Sequence, residues 1–336
     1  MKNNRIFALD GARGIAAFCV LLFHVLGPRY VNLSYLYIAV DFFFALSGFV
    51  LAHALSRVSN FQDVWNFLLK RFVRIFPMVL AIILFTAAYD LIVMLKHWFF
   101  DEPQTDRIVL SLPIIVISIL MLQVFYKPAI LVNYPIWSLS AEWVVNITIA
   151  TCNVFLKNGK YWSLVVGFGL VTTSGVIGSE LMNQVGRAIW GFSVGLAIFE
   201  FRDRLLNYRK TIVFIISLIA PIYFLVPLLG NFQALFSIWS FAATIIYLYK
   251  FDISERLSRV CAVMGEYSYG FYLWHFPMLS AAGIILRISD LNPDSFHSIA
   301  LQIILCSALT VVATKLSLIV FEKPIRNLWI KRSKLI

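Results

Sequence analysis

The chain has 336 residues, of which 61% are hydrophobic and 13% charged, and its mean hydropathy is +0.85. A soluble domain carries about 25% charged residues, so this composition excludes one and indicates an integral membrane protein. The net charge of +11 does not argue for nucleic acid, because Lys and Arg cluster in short loops between apolar runs, the pattern that fixes membrane topology.

The N-terminus, MKNNR, is short and basic, and no small-residue cleavage site closes the apolar run behind it. That run is read as an uncleaved span. It reads IFALDGARGIAAFCVLLFHV over residues 6–25 and holds Asp10, Arg13 and His24. An ionisable group inside a span is costly and marks a functional site. Arg13 and His24 are eleven residues apart, which returns them to nearly the same helix face about 16 Å apart along the axis. Asp10, one turn before Arg13, is placed as its partner. The second run opens VDFFFALSGFV. Asp41 falls at the same membrane level as His24, where a carboxylate can hold an imidazole tautomer. Ala45, Gly48 and Ala52 make a small-residue stripe that admits a close helix neighbour. KRFVRIFP follows, with Arg71 and Arg74 one turn apart. Two guanidinium groups on one face suit a phosphate or pyrophosphate, although topology-setting charge leaves the same pattern.

Apolar segments lie near residues 6–27, 36–55, 75–95, 108–126, 136–156, 161–178, 185–201, 211–229, 232–249, 268–288 and 298–321. The loops 57–74, 157–160, 202–210, 250–259 and 323–334 are basic and are assigned to the cytoplasm, and the acidic loop 97–107 to the exterior. Two segments then stand where parity allows one crossing. Segment 108–126, bracketed by Pro113 and Pro128 and followed by the irregular stretch 127–135, is expected to be re-entrant or peripheral. The expected fold is all-α: one polytopic domain over residues 1–336, about ten transmembrane helices plus that segment, both termini cytoplasmic. Cys19, Cys152, Cys261 and Cys306 show no paired spacing and are read as packing residues, with no metal site.

Two later motifs add polar groups to spans. IWSLSAEW begins a span with Trp137 and Trp143 suited to the membrane interface. Ser138 and Ser140 are placed to bond a carbonyl or a polar ligand. Glu142, one turn deeper, needs a partner or a wet cavity. YSYGFYLWHFP carries His275 into the membrane just before Pro277, which is expected to kink or break the helix. FEKPIRN puts Glu322 at the cytoplasmic end of the last span, beside Lys323 and Arg326.

These motifs, in this order, resemble the acyltransferase-3 family of bacterial membrane acyltransferases. The resemblance covers nearly the whole chain: LDGARGIAA with Arg13 and, after ten intervening residues, His24; VDFFFALSGFV; the R-x-x-R of KRFVRIFP; IWSLSAEW; YSYGFYLWHFP; and FEKPIRN. It implies transfer of an acetyl or related acyl group from cytoplasmic acyl-coenzyme A to a hydroxyl of a cell-surface or lipid-linked glycan, in the bacterial inner membrane and with no metal. Arg13 and His24 are then essential groups, and Arg71 and Arg74 belong to the coenzyme A site. His24 is expected as general base, with acyl carriage by His24 itself as the alternative, Asp10, Asp41 and Glu142 as supporting groups and Trp137, Ser138 and His275 at the acceptor. The chain ends soon after the tenth span and looks more like the stand-alone O-antigen, exopolysaccharide or nodulation-factor acetylases than relatives with a periplasmic hydrolase-like domain. A transporter using the same Asp, Arg, Glu and His residues as a relay, or a scaffold subunit of a glycan assembly system, are the alternatives.

Overall fold

The computed structural model describes residues 6–100, 111–126, 133–156, 159–219, 222, 232–288 and 295–333. Among them all regular structure is helical: α1 (Phe7–Leu26), a 3₁₀ segment (Val31–Ile38), α2 (Ala39–Leu55), α3 (Phe61–Phe100), α4 (Leu112–Ile119), a 3₁₀ turn (Gln123–Phe125), α5 (Ile136–Phe155), α6 (Gly159–Ile177), α7 (Glu180–Ser217), α8 (Gln233–Tyr249), α9 (Glu255–Ile288), α10 (Phe296–Ser317), a π-helical turn (Leu318–Glu322) and α11 (Lys323–Ser333). Five helical stretches are long and apolar enough to cross a bilayer by length and composition, and two shorter apolar helices join them. α5 and α7 miss that criterion because they carry polar groups inward: Ser138, Ser140 and Asn146 on the first, Gln184, Arg187 and Ser193 on the second are all buried.

Side-chain contacts fix the relative directions. α1 and α9 run parallel, with Gly11 on Cys261, Gly14 on Met264 and His24 on His275. α2 and α7 run together the opposite way, Asp41 meeting Arg187 and Phe49 meeting Phe199. Their approach is set by glycine. A Cβ on Gly48 would stand 2.0 Å from the Phe192 carbonyl oxygen, and one on Gly195 would stand 2.1 Å from that of Ala45. The small-residue stripe on α2 therefore seats α7, backbone against backbone. α5 shares that direction, with Glu142 facing Ser47 and Asn153 reaching the Leu55 carbonyl. α6 opposes α7, with Tyr161 bonding Glu200 and Phe168 on Trp190. α10 opposes α9: the Cys306 thiol faces the His275 carbonyl, and Thr314 packs on Gly270. One end of the bundle thus holds Arg13, Arg71 and Arg74, and the other holds His24.

α4 does not cross. Its eight residues rise about 12 Å, against a hydrocarbon core of about 30 Å. Met121 then takes a left-handed backbone (φ 54°), and the chain tucks onto the start of α5. Ser140 there donates to the Met121 carbonyl at 2.8 Å and accepts from the Val124 amide at 3.0 Å. A segment that had traversed the bilayer could not meet α5 at its first turns.

Two helices differ from the sequence expectation. The basic stretch 202–210, expected as a loop between spans, is helical and lies inside α7. Asp203 pairs with Lys250 at 3.0 Å, while Phe214 packs on Tyr247 at 5.2 Å between ring centroids. Both contacts fall on the end of α8, so this stretch of α7 lies against it. At Pro277 α9 continues without a break. Proline supplies no amide for the carbonyl four residues earlier, and Asn133 from the α5 approach donates to that Leu273 carbonyl at 2.7 Å. Most of the acidic loop 97–107, the stretch 127–132 and most of 220–231 lie outside the described residues.

Candidate active site

The sequence-selected groups fall around two cavities. The first encloses about 120 Å³ and is walled by Arg13, Arg71 and Arg74, with Glu142 and Ser47 beside them and Tyr272 above. Arg13 stands 3.9 Å from Asp10, and Asp10 packs on Gly265 of α9. That glycine leaves room for a carboxylate between two helices. Arg71 donates to Glu142, which also accepts from Ser47. Glu142 therefore serves the arginine cavity and stands one level below His24. Arg74 has no carboxylate within ion-pair distance among the described residues. Three arginines against two carboxylates, Asp10 and Glu142, leave the cavity with excess positive charge, a setting that favours a polyanion.

The second cavity, about 170 Å³, opens at the other end beside His24, Tyr37, Trp137, Glu180 and Arg187. His24 is half-buried, and its ring packs against Tyr134, Phe276 and His275. Asp41 was expected beside this ring as its orienter. The structure gives both of its oxygens to Arg187 instead, at 2.9 and 3.0 Å, in a fully buried pair. The Arg187 guanidinium also lies 4.8 Å over the Tyr37 ring and 5.8 Å from Trp137. Arg187 went unnoticed in the sequence although it sits in an apolar segment, NQVGRAIWG. The rule that selected Arg13 selects it equally.

Val40 and Tyr272 line both cavities. The Tyr272 hydroxyl meets Ser138 Oγ at 2.6 Å and donates to the Pro135 carbonyl at 3.1 Å. Ser138 is thus part of the partition between the two spaces. Trp137 walls the His24 cavity, and His275 is fully buried directly behind His24. Among the described residues no three His, Cys, Asp or Glu side chains converge on a metal-sized site.

A family model described as an acyltransferase domain matches residues 6–319. The chain belongs to the acyltransferase-3 family. ORF330 of Acidianus two-tailed virus, named by inference an acetyltransferase, is 22% identical over 86% of this chain and 89% of its own. BcsY of Komagataeibacter xylinus, named by inference a membrane-bound transacylase, is 24% identical over 84% of this chain and 75% of its own. Protein 2 of the picA locus of Rhizobium radiobacter is 39% identical over 87 residues, a quarter of this chain and 46% of that protein. No solved structure matches. This acyltransferase is a multi-pass membrane enzyme whose reaction needs an acyl donor and an acceptor.

Proposed function

We propose that this acyltransferase moves an acyl group, acetyl in the simplest case, from acyl-coenzyme A at the arginine end to a hydroxyl of a glycan at the His24 end. The observation that carries this reading is the pair of cavities that share Tyr272: one cationic, one holding an imidazole. Coenzyme A is a large polyanion and cannot enter apolar lipid, so it docks at the cationic mouth with its phosphates on Arg74 and Arg71. Its thin pantetheine arm lies along Arg13 and carries the thioester past Tyr272. His24 takes the proton of the acceptor hydroxyl as that oxygen attacks the thioester carbonyl. The C–S bond breaks, the acyl group stays on the acceptor, and the thiolate leaves and takes up a proton. Asp41 and Arg187 hold α2 to α7 and shape the acceptor side. Trp137 and Tyr37 present rings to a sugar.

The basic loops support a cytoplasmic arginine end, and with it the reading of a single-domain protein of the bacterial inner membrane with both termini inside. The test is thioester cleavage by the purified protein in proteoliposomes, with acetyl-coenzyme A as donor and the host's own surface polysaccharide as acceptor. Thiol release matched one to one by O-acetyl on the polysaccharide is the expected result. Movement of polysaccharide or protons without cleavage would overturn the reading in favour of a transporter.

A further inference from the structure

The second histidine, His275, shows which way it is protonated. Its Nδ1 lies 2.6 Å from the Tyr272 carbonyl oxygen, three residues back in α9. A carbonyl oxygen only accepts, so Nδ1 carries the proton and Nε2 presents a lone pair. That Nε2 is buried and without a partner among the described residues, and the side chain is 0% exposed. A buried acceptor of this kind calls for a donor. The ring facing it is His24, with centroids 5.1 Å apart and planes inclined by 33°. Two imidazoles joined by a direct N–H···N bond of about 3 Å stand about 5 Å apart centre to centre, so a small ring rotation completes the bond. The other neighbours of His24 (Phe23, Tyr134 and Phe276) present rings.

We infer that His275 is the positioning residue for His24: its Nε2 accepts the N–H of one His24 nitrogen, fixing the tautomer in which the other nitrogen faces the acceptor cavity as base. His275 thereby fills the orienting role expected of Asp41. The chain of bonds runs from the Tyr272 carbonyl through His275 to His24, and a neutral imidazole replaces the usual carboxylate. When His24 takes the acceptor's proton, its bond to His275 becomes charge-assisted and strengthens. The proposal rests on the general-base reading of His24. It also ties the base to Tyr272, the residue that parts the two cavities, because the carbonyl that orients His275 belongs to it.

Two substitutions divide the two nitrogens. His275→Gln places an amide oxygen near the Nε2 position and loses the bond to the Tyr272 carbonyl. His275→Asn keeps a donor near Nδ1 for that carbonyl and loses the acceptor toward His24. Thiol release from acetyl-coenzyme A in the polysaccharide-loaded proteoliposomes should stay within about tenfold of wild type in His275→Gln and fall by about 100-fold in His275→Asn, near the effect of losing a well-placed general base. A purely structural His275 gives the reverse order, since Asn preserves the backbone bond, and that order would overturn the proposal. A substrate-free readout is nitrogen NMR of isotope-labelled histidine in the whole protein, which has five histidines, with His24 assigned from its loss in His24→Ala. One His24 tautomer in wild type and His275→Gln, and a mixture in His275→Asn, supports the inference. A mixture in wild type refutes it. If wild type cleaves no thioester, the donor reading fails while the tautomer result still decides the role of His275.

Discussion

Removing one partner of the Asp41–Arg187 pair should cost more than removing both. In Asp41→Ala the Arg187 guanidinium keeps its charge in a site only 7% exposed and loses two hydrogen bonds, of 2.9 and 3.0 Å. Its remaining support is the rings of Tyr37 at 4.8 Å and Trp137 at 5.8 Å, and a desolvated cation–π contact is worth about 2 kcal/mol. Breaking a buried pair from one side costs about 3–5 kcal/mol. Asp41→Leu combined with Arg187→Met leaves apolar groups of similar volume and should cost no more than about 1–2 kcal/mol. With the Asp41→Leu and Arg187→Met singles each in that range of about 3–5 kcal/mol, the coupling recovered from the cycle of two singles and one double is about 4–9 kcal/mol. The assay is unfolding of the detergent-solubilised protein, read as the loss of helical signal against denaturant for all four proteins. Additive single effects, or singles costing under about 1 kcal/mol, would refute the assignment of Asp41 to Arg187. If Asp41 instead oriented His24, the stable double variant would be as inactive as Asp41→Ala, whereas a structural clamp lets activity return with the fold.

Arg74→Lys should weaken donor binding by about 10-fold or more, because an ammonium cannot hold a phosphate through a two-pronged fork; unchanged affinity for acetyl-coenzyme A in a binding titration would assign Arg74 to topology alone. Gly195→Val should abolish folded protein, since its Cβ alone would stand 2.1 Å from the Ala45 carbonyl oxygen; a normal yield of monodisperse protein would refute the close α2–α7 contact. Single cysteines at Ser111 and Tyr126, flanking α4, should both react with an impermeant thiol reagent from the outside in a background lacking the four native cysteines; labelling of the Tyr126 site from the inside would mean that α4 crosses.

Much of the fold was legible because a bilayer leaves few choices. The parity expected from the basic loops left no crossing for segment 108–126, and its helix is only eight residues long. The stripe of Ala45, Gly48 and Ala52 announced a close neighbour, but not which one: Gly191 and Gly195 lie on α7, far along the chain, and only folding brings them together. Arg13 and His24 share one helix face, so their relation could be read from spacing. The His24–His275 contact spans two helices that lie near opposite ends of the chain, and no local pattern reports it. Asp41 was assigned by level alone, and level is shared by every group at that depth; Arg187 wins because a guanidinium satisfies both carboxylate oxygens at once. The helix over residues 202–210 was hidden for the opposite reason. Charge there looked like a loop, but Arg and Leu are good helix formers and the backbone stays helical.

The most direct test of the mechanism is acyl transfer by His24→Ala, reconstituted in proteoliposomes with acetyl-coenzyme A and the host's surface polysaccharide and compared with wild type at equal folded protein. Loss of both thiol release and polysaccharide O-acetylation, with donor binding at the arginine cavity intact, is the expected result. O-acetylation at the wild-type rate by His24→Ala would contradict the role given to this histidine, and with it the direction assigned to the reaction between the two cavities.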